Sequence, residues 1–170
     1  MIKKKRVVIL GARSFVISEF IKILKKHKIK FIPINKKKID LINKKSIKKL
    51  DKIIRKGDCV IFASAIAPVK TIKMLNDNFQ MCMNVFGCLE KKKIDYLLYI
   101  SSDAVYSDSL YSLKEISETN PNNLHGFMHL MRENILKLLD TRFCIVRPTL
   151  VYGTEDPHNG YGPNQFIRLG

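Results

Sequence analysis

The sequence predicts an α/β protein built on a doubly wound parallel sheet, and three observations carry that expectation. Short apolar runs alternate with amphipathic stretches at helical spacing along the whole chain. Several of the runs are uninterrupted, as in strands buried on both faces, and the first ends in a glycine that opens a helix. Repeated βα units imply right-handed crossovers and place ligands at the carboxyl ends of the strands.

Taken in order, Arg6-Val-Val-Ile-Leu10 is a strand closed by Gly11, and Phe15, Ile17, Phe20, Ile21 and Leu24 mark the helix that follows. Residues 29–34 form a second strand, and Pro33 makes it a less central one. After Asp40-Leu41, the apolar positions Ile47, Leu50, Ile53 and Ile54 define a helix with its stop at Gly57. Residues 59–63 read as a fully buried strand, 70–92 as a helix and 96–100 as another buried strand. A polar stretch leads to a helix over 124–139 and a strand over 143–146, ending at Arg147-Pro148. The Gly/Pro/Asn-rich loop from Gly153 gives way to a new helix near Gln165-Phe166-Ile167.

The 170 residues carry 31 Lys and Arg against 15 Asp and Glu, a net charge of +16, and the excess is local. Residues 1–56 hold 20 basic and 3 acidic side chains, while the rest of the chain holds 11 and 12. A hydrophobic fraction of 46% suits a packed core and excludes intrinsic disorder. Cys59, Cys82, Cys88 and Cys144 form no C-x-x-C pair, and three lie in apolar runs, so a reducing, cytoplasmic setting is expected rather than a disulfide framework or zinc ribbon. Neither a membrane span nor a signal-peptide core is found, so the chain is expected to be soluble and unprocessed.

The loops after the strands contain the motifs. They read Gly11-Ala-Arg-Ser-Phe-Val16, Asp40-Leu41, Asp58 to Ala65, Tyr99-Ile-Ser-Ser-Asp-Ala-Val-Tyr106, Pro121 to Glu133, and Arg147-Pro-Thr-Leu-Val-Tyr-Gly153. The series resembles the extended short-chain dehydrogenases/reductases, in particular the NAD-dependent epimerase/dehydratases that remodel nucleotide sugars. That resemblance implies a Rossmann-type domain over residues 1–152 and the start of a substrate-binding region over 153–170, most of which is expected to be absent.

The resemblance also implies roles. Gly11 supplies the tight turn, Arg13 and Ser14 sit in the phosphate loop, and Phe15 and Val16 present amides to a cofactor diphosphate. Asp40 bonds the adenine, with Leu41 beside it. Ala63, Ser64 and Ala65 line the ribose and diphosphate, Ile100 and Ser101 lie along the cofactor, and Pro148 packs near the nicotinamide. Ser102 falls on the catalytic Ser/Thr and Asp103 on the dehydratases' general acid, although their following Glu is Ala104 here. Asn84 imitates a family asparagine but lies only 18 residues before Ser102. Asn78, 24 residues before it, is the better match, with an exposed helical position as the plain alternative. The phosphate loop also departs from the pattern, since Ile17 replaces its last glycine.

The larger departure is at the family's Tyr-x-x-x-Lys pair, which is His125 and His129 here. A phenol near pKa ~10 needs a lysine to make it a base at neutral pH, whereas an imidazole near ~6.5 does not. His125 is therefore read as the acid/base residue, acting with Ser102, and His129 as the ribose contact. Three other readings stay open: cofactor binding without turnover, ordinary helix residues, and a metal held by His125, His129 and Glu133 at i, i+4, i+8, against which Gly126 stands where a zincin helix needs its Glu. No metal is expected. His158 has a route to the same cleft, and His27 among lysines is expected to be solvated.

Asn35 followed by Lys36-Lys37-Lys38, with Arg13 nearby, puts positive charge where an NAD enzyme carries an acid, and this leans the cofactor from NAD toward NADP. The lysines of the first third also invite a nucleic-acid reading. No aromatic is interleaved with them and no base-reading motif accompanies them, so solvated lysine faces are the expectation. The partners implied by the resemblance are a nucleotide-diphosphate sugar and, in the full-length family, a second copy of the chain.

Overall fold

Strand β1 (Val7–Leu10) is the pivot of the molecule, a computed structural model that describes residues 5–107, 112–153 and 162–169. It pairs in parallel with β2 (Phe31–Ile34) on one side and β3 (Cys59–Phe62) on the other, so Val7 lies opposite both Phe31 and Cys59. Strands β4 (Tyr96–Ile100) and β5 (Phe143–Val146) continue beyond β3, giving the order β2-β1-β3-β4-β5 with every pair parallel. Because the chain leaves β1 first toward β2 and then returns to β3 on the other side, the winding reverses between β1 and β3. That crevice is where open α/β sheets bind ligands.

The helices are α1 (Phe15–Lys26), α2 (Lys44–Ile53), α3 (Ile72–Leu89), α4 (Leu124–Leu136) and α5 (Gly162–Leu169), with a 3-10 turn at Asp103–Val105. Alternation along the strands sorts them into layers. Val8, Leu10, Val60, Phe62, Leu97 and Tyr99 face the main core, where α2, α3 and α4 contribute Leu50, Met81, Cys82, Val85, Phe86 and Leu136. Ile9 and Ile61 point the other way and meet Ile17 and Leu24 of α1. Pro33 sits on β2, which pairs with β1 alone, so its missing N–H disturbs no second neighbour.

Local chemistry sets the element ends. Asn43, Thr71 and Asn123 each accept a backbone N–H at the starts of α2, α3 and α4, as side-chain N-caps do. Helix α4 stops at Leu136 rather than at residue 139, and α2 stops at Ile53, ahead of Gly57. Arg6 and Asp58, the residues just before β1 and β3, are joined by two bonds of 2.9 and 2.5 Å, and Asp58 also accepts Arg55 N at 2.8 Å. The four cysteines are free thiols, and burial pushes those of Cys82 and Cys88 up to about 11. Among the described residues no helix is long and apolar enough to cross a membrane.

Gly11 is the residue on which the crevice closes. Its φ is +95°, and a Cβ there would stand 2.7 Å from Ser64 N and 2.9 Å from Ala63 O. Both the backbone conformation and the close approach of the β1 and β3 loops demand glycine. Gly87, within α3, has open space on its side-chain side, with nothing within 4 Å of where a methyl would stand. Gly11→Ala is therefore expected to lower stability by about 2 kcal/mol or more, whereas Gly87→Ala should raise it by up to ~1 kcal/mol through helix propensity. Urea unfolding midpoints of the two variants provide the check.

Candidate functional site

The loops after β1, β3 and β4 converge at the carboxyl edge of the sheet, and α1 begins there. Ser14, its N-cap, makes no side-chain capping bond, and no acidic residue occupies the first turn. The Ser14 carbonyl is bonded by Ile17 N and Ser18 N, which leaves the Phe15 and Val16 amides to an outside acceptor. With the glycine turn and exposed Arg13 beside it, this end of α1 has the donor set that suits a diphosphate.

Helix α4 runs against the same edge and supplies the most constrained side chains. A Cβ on Gly126 would collide with Ala104 O, so α4 lies directly on the 3-10 turn that follows Ser102. Ser102 caps that turn, accepting Ala104 N at 3.1 Å, and its hydroxyl donates to Asp103 Oδ1 at 3.1 Å. His125 and His129 project from successive turns of α4 with rings 4.8 Å apart, edge to face. Burial lowers the pKa of both. It takes His129 down to about 2, with His125 and Arg132 adding to the effect, whereas Asp103 opposes the shift at His125. Both imidazoles are thus neutral at physiological pH.

Buried hydrogen bonds hold α4 in register. Arg132, with no exposure, donates to Ser64 O at 2.8 Å, Asn78 O at 2.9 Å and Asn78 Oδ1 at 2.8 Å, and its guanidinium lies 5.1 Å from the Phe62 ring centroid. Glu133, equally buried, accepts Ser101 Oγ at 2.6 Å and two bonds from Arg147 at 3.0 and 2.6 Å. Arg147 reaches on to the Tyr106 hydroxyl at 2.5 Å. His129 Nδ1 meets the Tyr99 hydroxyl at 2.7 Å.

The structure distributes the sequence-nominated residues unevenly. Gly11, Ser14, Ala63, Ser64 and Ala65 lie on the loops that follow β1 and β3 and Phe15 and Val16 begin α1, while Ser102, Asp103, His125 and Pro148 gather around the turn after β4, where Asp103 N bonds Pro148 O, and His129 lies against Tyr99 of β4. Ser101 gives its hydroxyl to Glu133, and Ile100 packs on the α1 side of the sheet. Leu41 is buried in the main core, and one oxygen of Asp40 accepts Ile42 N.

Asn78 requires a correction to both of its expected readings. It is buried, not exposed, and every hydrogen-bonding site on its amide is occupied: Oδ1 by Ile66 N and Arg132, Nδ2 by Ile66 O and Met74 O. Its amide therefore holds the β3–α3 loop in place and has no site left for a ligand. Asn84 supports the Leu41 and Ile42 carbonyls. The metal alternative loses its third ligand because Glu133 is taken by Arg147 and Ser101, and no candidate cluster occurs among the described residues.

The lysine excess also sorts itself. Lys36, Lys37 and Lys38 are exposed after β2, but Lys44, Lys48 and Lys52 line a groove of about 510 Å³ between α2 and α3 that shares no residue with the site. His27 is exposed, and His158 lies outside the described residues. The sequence reading assigned no role to Tyr99, Arg132 and Arg147, and weighed Glu133 only as a metal ligand. Their signal was present in α4, where Arg132 and Glu133 occupy positions i+3 and i+4 from His129 on its inward face.

Comparison with known proteins places this arrangement. A sequence model of the NAD dependent epimerase/dehydratase family matches residues 7–169. The chain belongs to that family. Among solved structures, the epimerase/dehydratase-family chain is similar to a dTDP-4-dehydrorhamnose reductase from Clostridium acetobutylicum, at 23% identity and a TM-score of 0.78 over 96% of this chain and 59% of that one. A Thermus thermophilus UDP-glucose 4-epimerase in complex with NAD matches at 18% identity and 0.80, over 96% and 60%. A GDP-L-fucose synthetase from Naegleria fowleri bound to NADP matches at 20% and 0.75, over 92% and 53%. The chain thus spans about half to three-fifths of the length of these proteins, and at such identities they establish the shared fold.

The packing of α4 sets two expected outcomes. Arg147→Met leaves Glu133 as an uncompensated buried charge and is expected to cost about 3–5 kcal/mol, part of which Glu133→Gln in the same chain recovers, read from chemical denaturation of the single and double variants. For His129 the unfolded chain binds a proton below about pH 6.5 and the folded chain only near pH 2. Stability is therefore lost as pH falls below about 6.5, and His129→Leu should flatten the dependence of the urea midpoint between about pH 7 and 5.

Proposed function

We propose that the chain binds NAD(P) across the β1/β3 crevice and acts on a nucleotide-diphosphate sugar by hydride transfer coupled to proton transfer. The observation that carries this reading is the pair of neutral histidines on α4, at the positions where the family carries its Tyr-x-x-x-Lys, packed against the Ser102 turn. The Phe15 and Val16 amides and Arg13 would hold the diphosphate, Asp40 the adenine end, and His129 the nicotinamide ribose. Bound NAD(P) supplies the hydride acceptor or donor.

The chain's own residues handle the proton. Among the described residues His125 Nδ1 is sealed and without a partner, so exchange with a substrate hydroxyl would run through Nε2. A neutral imidazole accepts that proton directly, and nearby Asp103 favours the imidazolium that results. The Ser102 hydroxyl, on leaving Asp103 Oδ1, would bond the same substrate oxygen. Lys36, Lys37, Lys38 and Arg13 favour the additional phosphate of NADP. Residues 1–152 form the cofactor domain in this reading, and 153–170 are the start of a substrate-binding region. Exposed Phe79 and Met83 on α3, with Phe127 on α4, supply an apolar surface for a homodimer, and a cytoplasmic location fits the free thiols.

Cofactor binding without turnover is the second reading. What favours it is the lost charge at position 129, where a buried neutral imidazole replaces an ammonium.

With NADPH or NADH oxidation followed against a panel of nucleotide-linked keto sugars, His125→Gln is expected to lower kcat by about 10²–10⁴-fold while cofactor affinity is kept. Turnover that survives the substitution contradicts the acid/base assignment. Tight cofactor binding with no turnover of any sugar by the parent chain supports the second reading.

A further inference from the structure

Tyr99 lies one residue before the end of β4 and is 1% exposed. Among the described residues the acceptor its hydroxyl meets is His129 Nδ1, at 2.7 Å. Arg132 is also near, and its guanidinium works against the rise that burial imposes on the phenol's pKa. A guanidinium carries only donors. The Tyr99 oxygen thus has the imidazole nitrogen as its hydrogen-bond partner and a donor-only group in its surroundings.

The proton in the Tyr99–His129 contact has two placements. If the imidazole is protonated at Nδ1 and donates to the phenol oxygen, the phenol's own proton has no acceptor among the described residues. An unsatisfied buried donor costs about 1–3 kcal/mol, a bias of roughly 5- to 150-fold. If the phenol donates to Nδ1, both groups are satisfied and the imidazole proton sits on Nε2. That nitrogen makes no hydrogen bond, yet it is absent from the sealed, unpartnered atoms, which are His125 Nδ1 and Arg132 Nε. Nε2 therefore keeps some exposed surface.

We propose that Tyr99 is a positioning residue whose hydroxyl donates to His129 Nδ1 and fixes that imidazole as its neutral Nε2–H tautomer, a single aimed donor in the place of a lysine ammonium. Arg132, bonding the Ser64 and Asn78 carbonyls, adds donors and no acceptor to the phenol's surroundings. Burial of His129 keeps the ring uncharged, so the device provides direction instead of charge. Resting on the NAD(P) reading above, the ligand of that donor is a ribose hydroxyl of the dinucleotide.

The test is a ¹⁵N–¹H two-bond correlation spectrum of the full chain labelled at histidine. His129 is expected to show an unprotonated Nδ1 and a protonated Nε2, unchanged between about pH 7 and 5. Tyr99→Phe keeps the ring and removes the donor, and should shift the His129 signals toward exchange between tautomers. A wild-type Nδ1–H pattern, or a Tyr99→Phe spectrum identical to wild type, overturns the proposal. The wild-type spectrum decides on its own if the variant does not fold. Because the sample for this spectrum contains no cofactor, its outcome is separate from failure of the NAD(P) reading. In chains that bind NADP(H), Tyr99→Phe should raise Kd about threefold to tenfold, and an unchanged Kd overturns the ribose-donor part.

Discussion

Helix α4 carries a full positive and a full negative charge, Arg132 and Glu133, into positions with no exposure, and the candidate site depends on how each is satisfied. Glu133 has a charged partner: Arg147, at the end of β5, reaches it with two bonds, and Ser101 adds a third. Arg132 is answered by the carbonyls of Ser64 and Asn78, the Asn78 amide oxygen and the face of Phe62. Buried charge is costly unless hydrogen-bonded, so these contacts admit little sliding of the helix. They tie α4 to the β3 loop, to α3, and to the ends of β4 and β5. His125 and His129 lie at i−8 and i−4 from Glu133, so the register that satisfies the charges also sets His129 against Tyr99 and His125 near Asp103.

The same burial decides the chemistry available there. Two imidazoles 4.8 Å apart beside a guanidinium cannot both be charged at neutral pH, and His129 is held neutral most strongly. In a Tyr-x-x-x-Lys pair the lysine's charge lowers the phenol's pKa. Under the proposed function no phenolate would be needed, because a neutral imidazole is already basic, and the loss of charge at 129 would accompany the change of base at 125 as one electrostatic adjustment.

The alternation of apolar runs was enough to read the sheet, since β-branched segments such as Val7–Leu10 and Cys59–Phe62 have no other way to bury both faces. Pro33 marked a less central strand, and Gly11 marked the tight turn after β1. Helix ends were less legible: α4 stops three residues early, and Leu138, apolar at helical spacing, is left exposed. Asn78 misled because spacing in sequence does not reveal whether an amide's bonds are already used. The buried Arg132 and Glu133 were hidden for a related reason. Charged letters read as surface unless their partners are known, and those partners, Ser64, Asn78 and Arg147, lie 68, 54 and 14 residues away.

The glycine turn, the open end of α1 and the α4 histidines together would make one dinucleotide site, and isothermal titration of the full chain with NADP(H) and NAD(H) puts that to the test. Saturable one-to-one binding is expected, tighter for the NADP pair and weakened by added salt. Absence of binding by either nucleotide to the folded chain contradicts it.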